Sequence, residues 1–376
     1  MITFENALKT VLDSAFIVGE EEVSILDSLN RVLAQDVVSD MNMPPFDKSA
    51  MDGYACRMAD IANVLDVVEI IPAGKFPEKD IFQNQCSKIM TGAKLPVGAD
   101  CVLMVEHTEV VAEGKIRFAK ESTNRNICYL AEDVKTGEVV LTRGTVIKPQ
   151  HIAILAAVGV VDVKVYKQPR VGIIATGDEL VEPNVRPEKS QIRNSNGYQM
   201  VAQVLNSGAI ANYLGIAKDN VAHSVELISK ALDENDIVLL SGGVSMGDFD
   251  FVGAALEKNG IRILFDSVAV QPGKPTTFGV GDRKICFGMP GNPVSSFIQF
   301  EMLAKPLIQK MMGADAEVRT FRLPLKHDYG RKKAERLAIV PSNIMGDNTV
   351  EPADYHGSAH IFSLGYANSM MLIPLG

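Results

Sequence analysis

Apolar residues recur at three- and four-residue intervals along the first segment: Phe4, Leu8, Val11, Leu12 and Ala15, then Leu26, Leu29, Val32 and Leu33. That spacing lines one face of a helix, so residues 1 to about 40 read as helical, with Ser24 or Asp27 as a cap. After Met43 the pattern changes. Residues 67–71, 101–105 and 116–118 are short apolar runs punctuated by proline and glycine, which predicts a β-rich module. Residues 132–166 mix short strands with a helix near 151–158. From 169 to about 312 the pattern alternates. VGIIATG reads as a strand, followed by a helix around 199–205 closed by Gly208 and a second helix through Val225, Ile228 and Leu232. DIVLL, a glycine turn, another helix, KICFG and a long helix from Pro293 follow, and Pro306 is expected to kink or end that helix near Lys305. Such alternation predicts a doubly wound, mostly parallel α/β sheet covered by helices. Residues 314–376 are rich in β-formers and turns and read as a small β domain. The fold class is therefore α/β plus β, in several domains.

Composition narrows the function. Of 376 residues, 47% are hydrophobic and 22% charged, as in an ordinary folded protein. The net charge of −9 argues against bulk nucleic-acid binding and against a polybasic membrane surface. An anionic substrate remains open to it, because a few local donors suffice and carboxylates can hold a divalent cation between protein and phosphate. No apolar run approaches a bilayer span and no secretory signal is visible, so a cytoplasmic protein is expected. Five cysteines without a C-x-x-C pair suit reduced thiols. His356 and His360 are four apart, but Gly357 and a turn-rich setting argue against zinc. Neither a nucleophile elbow nor a Walker lysine motif occurs.

The chemistry concentrates at three predicted strand ends. VGIIATG runs into Asp178 and Glu179, DIVLL into SGGVSMGDFD, and KICFG into MPGNPVS. Each alone is simply a turn or a cap. In an open α/β sheet, however, ligands lie beyond the carboxyl ends of the strands, so three such loops are expected to line one pocket. Gly242 and Gly243 let backbone N–H groups approach a ligand. Asn292 is a suitable N-cap and Pro293 a suitable first helical residue, which leaves N–H groups and a positive helix end for an oxyanion. Ser245 and Ser295 add hydroxyls, QPGKP presents Lys274 on a rigid turn, and Glu179, Asp248 and Asp250 add carboxylates. Donors beside carboxylates make sense if Mg²⁺ bridges them. In the β-rich module, MPPFDKSAMDGYA is a proline-stiffened loop carrying Asp47, Lys48, Ser49 and Asp52. Thr91, in TGAKLPVGAD, is a turn hydroxyl unless Asp52 lies beside it.

Taken in order, PPFDKSAMDGYA, KIMTGAKLPVGADCVLMVE, NICYLAEDV, GIIATGDELV, IRNSNGYQM, LLSGGVSMGDFDFV, VQPGKPTTFG and GMPGNPVSSF resemble the molybdopterin molybdenumtransferase family of the MoeA type, related to the E domain of gephyrin. The resemblance spans nearly the whole chain. It implies that molybdenum from molybdate is inserted into adenylylated molybdopterin with release of AMP, assisted by Mg²⁺. Carried over residue by residue, it implies catalytic roles for Asp52, Thr91, Asp133, Glu179, Asp250 and Lys274, with Glu179 and Asp250 at the metal. It implies substrate-binding roles for Asp219, Gly242, Gly243, Ser245, Pro290, Asn292, Pro293, Ser295, Arg336 (or Arg331) and Ser358. Gln271 stands where some relatives have lysine, and GRKKAER has Ala334 at a usually aromatic position. The architecture implied is a homodimer. Residues 1–42 and 125–168 form a discontinuous linking domain, 43–124 the inserted β module, 169–313 the molybdopterin-binding-like domain and 314–376 the C-terminal β domain. The active site is shared between subunits, and a molybdopterin adenylyltransferase is the expected upstream partner. The rival readings are that adenylyltransferase step itself, a CinA-like nucleotide hydrolase, and a gephyrin-like non-catalytic scaffold.

Overall fold

The computed structural model describes residues 1–218, 221–243, 252–316, 318, 320–331 and 334–375. Asp219, Ser245, Asp248 and Asp250 lie outside the described residues. The chain divides into two compact units, one comprising Met1–Ala34, Gly144–Ile147 and Val163–Gly376, the other Gln35–Arg143 and Lys148–Asp162.

Helix α1 (Phe4–Asp13) forms as its spacing predicts, burying Phe4, Ala7 and Val11, with Thr3 accepting from the Asn6 N–H as N-cap. The expected helical continuation to residue 40 is not found. Glu20–Ser24 is a strand paired with Asp162–Tyr166. Ser24 and Asp27 close a turn instead of capping a helix, the Ser24 hydroxyl donating to Asp27 Oδ2 at 2.8 Å. The apolar spacing misled because Leu26 and Leu29 are 74% and 42% exposed, while Val32 and Leu33 are buried through β-bridges to Val146 and Val165. Long-range pairing outweighs helical propensity here.

The second unit is built on a six-stranded sheet in the order Cys101–Met104, Gly53–Cys56, Gln85–Ile89, Val64–Ile71, Lys115–Phe118, Thr108–Ala112. Its apolar residues alternate between two faces. Tyr54, Cys56, Leu65, Leu103 and Ile116 pack on one, and Ala55, Ile71, Ile89 and Val102 on the other. Gly53 is required where it stands: a Cβ there would lie 1.9 Å from the Leu103 carbonyl oxygen of the paired strand. Helix α2 (Pro149–Ala157) belongs to this unit.

The first unit contains the α/β sheet, ordered Ile210–Ala217, Arg170–Thr176, Ile237–Ser241, Lys284–Met289, Pro275–Gly281, Arg262–Ser267. The first four strands are parallel; Pro275–Gly281 runs against them, and Arg262–Ser267, antiparallel to it, runs with them again. Alternation along the central strands sends Val171, Ile173 and Leu239 into one core with Met200 and Val204 of α3 (Ser195–Asn206). Ile174, Val238 and Leu240 pack on the other side against α4 (Val221–Glu234) and α5 (Val252–Lys258). The long helix from Pro293 has three parts: α6 (Pro293–Gln299), a π-helical turn (Phe300–Ala304) and α7 (Lys305–Met311). Pro306 does not end it. The proline lacks an N–H and its ring would crowd the preceding turn of a regular helix, and the wider π turn just before it makes room. At the C-terminus, Leu337–Ile344 pairs with Val350–Pro352 and Ser369–Ile373, and Val270–Gln271 adds to the same sheet.

Candidate active site

A cavity of about 1390 Å³ opens at the carboxyl ends of the parallel strands. Its floor comes from the loops after Thr176, Ser241 and Met289, and its far wall from the C-terminal sheet, with Arg331, Arg336, Tyr355 and Ser358 among the lining residues. The three strand ends that the sequence singles out therefore share one space, Gly242 and Gly243 being the described part of the second loop. Parallel strands end on one side, and their following turns have nowhere else to converge.

Local backbone geometry sets each group. Gly242 has φ +95°, and a Cβ would sit 2.7 Å from the Thr176 carbonyl oxygen, so the turn needs glycine. Gly243 follows at φ +64°. Asn196, which the sequence reading left without a role, ties the strand ends together: its Nδ2 donates to Ser241 Oγ at 2.9 Å and to the Gly291 carbonyl at 2.7 Å. The signal was its place in IRNSNGYQM, two residues after the Asn194 that caps α3.

Glu179 is exposed and lines the cavity. Its carboxylate folds against Gly177, where a Cβ would lie 2.5 Å from Oε2, and its carbonyl accepts the Ile192 N–H at 2.8 Å. The carboxylate accepts no hydrogen bond from the described residues. Lys274 is likewise exposed beside the cavity, and among the described residues its ammonium has no ion-pair partner. Its turn is fixed from below, because Gly273 at φ +101° leaves room for Gln299, whose Nε2 would stand 2.4 Å from an added Cβ.

Asn292 occupies the N-cap position of α6, but its side chain does not cap. This corrects the sequence reading. Asn292 Nδ2 donates to Ser358 Oγ at 2.9 Å, and the Ser358 carbonyl accepts the Val294 N–H at 3.0 Å, so the C-terminal loop takes one of the helix N–H groups that were expected to be free. Pro290, Pro293 and buried Ser295 line the cavity beside them. The structure also separates the two arginine candidates. Arg331 spends both terminal nitrogens on the Arg336 and Pro374 carbonyls, each at 2.7 Å. Arg336 donates from Nη1 to the Val270 carbonyl at 3.2 Å, and among the described residues the rest of its guanidinium is left for a ligand. Burial pushes the Tyr355 phenol up to about 12, with Tyr329 adding to the effect, so it lines the wall as a neutral donor.

The remaining sequence candidates belong to the other unit. Thr91 lies beside Asp52: its N–H and its hydroxyl donate to Asp52 Oδ1 at 2.6 and 2.7 Å, the backbone bond first and the side-chain bond second holding that carboxyl below its ordinary value. Asp133 is exposed, with its N–H bonded to the Met43 carbonyl at 3.0 Å. Among the described residues no group of three or more His, Cys, Asp or Glu is gathered as for a metal ion. No helix of the described residues is long and apolar enough to cross a membrane.

Comparison with known proteins agrees across the whole chain. Residues 2–159 match the family model for the MoeA N-terminal region (domain I and II), and residues 172–310 match that for a probable molybdopterin binding domain. The molybdopterin molybdenumtransferases of Staphylococcus epidermidis (strain ATCC 35984) and Staphylococcus aureus (strain Mu50) are each 34% identical over 386 aligned residues, covering 100% of this chain and 92% of the relative. The crystal structure of the molybdopterin biosynthesis moeA protein of Pyrococcus horikoshii OT3 superposes with a TM-score of 0.85 at 31% identity, covering 100% of this chain and 96% of that one. A molybdenum cofactor biosynthesis protein of Pyrococcus furiosus shares the fold, with a TM-score of 0.63 at 22% identity.

Proposed function

The chain belongs to the molybdopterin molybdenumtransferase family of the MoeA type, and on that premise we propose that it transfers molybdenum from molybdate into adenylylated molybdopterin with release of AMP. The observation that carries the reading is the cavity lined together by the Glu179 carboxylate and the Lys274 ammonium, neither of them paired among the described residues, by the glycine turn 242–243 and by Arg336. A substrate that joins a phosphoanhydride to a tetrahedral oxyanion needs that mixture. Lys274 and Arg336 supply positive charge for molybdate or the leaving phosphate. The N–H groups at Gly242 and Gly243 can approach phosphate oxygens because no Cβ intervenes. Asn292 and Ser358, bonded to each other, hold the helix and the C-terminal loop on either side of the substrate.

The donor set fits Mg²⁺. Glu179 has its full acceptor capacity among the described residues, and a hard cation that keeps several waters needs only one or two protein carboxylates. Asp250 is the proposed second. When bound, Mg²⁺ neutralises charge on the phosphoanhydride. Asp219 and Ser245 are assigned to substrate binding in the same reading. Asp52, Thr91 and Asp133 are assigned to the active site of a partner protomer in a cytoplasmic homodimer, and a molybdopterin adenylyltransferase supplies the substrate. An active, stable monomer would overturn the shared site.

The test is AMP release from adenylylated molybdopterin with Mg²⁺, with and without molybdate, for the wild type and Asp250→Ala. Molybdate-dependent release that the variant loses is the expected result. Release indifferent to molybdate would make the chain a nucleotide hydrolase, and no release would make it a scaffold.

A further inference from the structure

The motif IRNSNGYQM is only partly used by the cavity. Asn194 and Asn196 line it, while Tyr198 is turned away into a second polar cluster centred on Glu182. Tyr213, on the edge strand of the sheet, donates to Glu182 Oε1 at 2.8 Å, and Tyr198, on α3, donates to Oε2 at 3.0 Å. Asn194 joins the cluster from both ends. Its Oδ1 caps α3 through the Gly197 N–H at 2.9 Å, and its Nδ2 donates to the Tyr213 hydroxyl at 2.7 Å. The two rings lie 5.3 Å apart, and Gly197 makes the space, since a Cβ there would sit 2.7 Å from Asn194 Nδ2 and 3.0 Å from the Tyr213 ring. Hydrogen bonding to Glu182 holds the Tyr198 hydroxyl above its usual range, and burial followed by that same carboxylate does so for Tyr213, so both phenols are donors at neutral pH.

The location of this cluster gives it consequence. Glu179 lies just before the short strand Leu180–Val181, and Glu182 just after it. That strand pairs in parallel with Ile192–Arg193, and Asn194 is the next residue. The Glu179 carbonyl accepts from Ile192, and the Val181 carbonyl accepts from Asn194 at 2.8 Å. The loop that carries Glu179 is thus pinned at Glu182, three residues on, by two tyrosines from the sheet and α3, while its return leg is pinned at Asn194. The Glu179 carboxylate itself takes no hydrogen bond from the described residues, so its aim depends on how firmly its backbone is held.

We infer that Glu182 and Tyr213 are positioning residues for Glu179, bracing the segment 179–194 so that the Glu179 carboxylate stays directed into the cavity toward a divalent cation. This rests on the role given to Glu179 above. Glu182 touches no substrate in this account, and neither tyrosine lines the cavity. A carboxylate on a loop loses part of its affinity for a cation if the loop must be ordered on binding, and supporting residues of this kind change metal affinity by about 10- to 100-fold.

The test uses the full-length protein and three measurements: calorimetric titration with Mg²⁺ alone, hydrogen–deuterium exchange of the segment 179–194, and the Mg²⁺ dependence of AMP release. In Tyr213→Phe, Mg²⁺ affinity is expected to fall about tenfold, amide exchange at Ile192 and Asn194 to accelerate, and the Mg²⁺ concentration for half-maximal release to rise in step. KM for adenylylated molybdopterin at saturating Mg²⁺ should stay within about twofold. Glu182→Ala should reproduce the effect and Glu182→Gln should restore part of it, because the amide oxygen can still accept from one phenol. If Tyr213→Phe fails to fold, the Glu182 pair and Tyr198→Phe carry the test. Unchanged Mg²⁺ affinity and exchange in folded variants would overturn the brace. A wild type that neither binds Mg²⁺ nor needs it for release would overturn the metal role of Glu179, a failure visible in the wild type and so distinct from one confined to the variants.

Discussion

Asp52 and Glu179 are both exposed carboxylates within two residues of a glycine whose place admits no Cβ, Gly53 against the paired strand and Gly177 against Glu179 itself, yet they are held in opposite ways. Asp52 is fixed through its side chain, with two donors of Thr91 converging on one oxygen. Glu179 is fixed through its backbone, and no described residue bonds its carboxylate. The first arrangement stabilises a charge in place and leaves one oxygen to act. The second leaves a charge whose acceptor capacity is open among the described residues. On the proposed function, the α/β loop is the one that receives a ligand and the β-module loop the one that presents a fixed anion.

The largest effect is expected from removing the Glu179 charge. Glu179→Gln keeps the shape and should lower the rate of AMP release about 100-fold, the scale of losing one group that acts on charge in the transition state. Because the side chain is exposed, the melting temperature should hardly move. Near-normal turnover in steady-state kinetics would remove Glu179 from the chemistry. A smaller but structural effect is expected at Gly273, beneath Lys274. Ala at φ +101° is strained and meets Gln299, so Gly273→Ala should cost about 2 kcal/mol in denaturant unfolding. Gly346→Ala, with no atom within 4 Å of the added Cβ, is the matched control and should change little. Equal stability of the two variants would show that the Lys274 turn is not held as described.

Much of this frame could be read from the chain, and the failures have physical causes. α1 was legible because its apolar face is buried and local. Three of the four parallel strands were legible because β–α alternation leaves few other topologies, whereas the edge strand Ile210–Ala217, between two predicted helices, was not read. The convergence of the three strand ends on one cavity followed from the polarity of parallel strands. The region from Leu26 to Leu33 misled because helical spacing alone does not say which residues will be buried. Asn292 looked like a cap, and only the approach of Ser358, 66 residues away, turned its side chain aside. Glu182 passed unnoticed for the same reason, since its partners at 198 and 213 come from other elements. Whether Arg331 or Arg336 faces the cavity with nitrogens to spare depends on carbonyls at Pro374 and Val270, which no local pattern encodes.

The Asn292–Ser358 contact offers an intermediate test of the cavity wall. Ser358→Ala removes the hydroxyl that Asn292 donates to but leaves the Ser358 carbonyl on the Val294 N–H. One exposed hydrogen bond contributes about 0.5–1 kcal/mol, which corresponds to roughly a threefold rise in the KM for molybdate, with kcat nearly unchanged. A change in kcat alone, at constant KM, would place Ser358 in the chemistry instead of the binding wall.

The smallest effect sharpens the other side of the comparison. Asp52 has its pKa lowered by the Thr91 N–H first and the Thr91 hydroxyl second. A folded-state pKa below the unfolded one contributes stability that is present above the unfolded pKa and is lost as the pH falls through the folded pKa. Thr91→Val removes the hydroxyl and keeps the backbone donor. The Asp52 pKa should therefore rise only part of the way toward its ordinary value, and the acid-side loss of stability due to Asp52 should begin at higher pH and be smaller. Thr91→Ser keeps a hydroxyl and should titrate like the wild type. The carboxyl carbon of Asp52, followed by NMR from neutral pH into the acid range, reads this directly. An unchanged midpoint in Thr91→Val would mean that the backbone N–H alone fixes the carboxylate. The two loops would then differ less than they do here, because both acids would depend on main-chain geometry and only Asp52 would have the donor placed to reach its side chain.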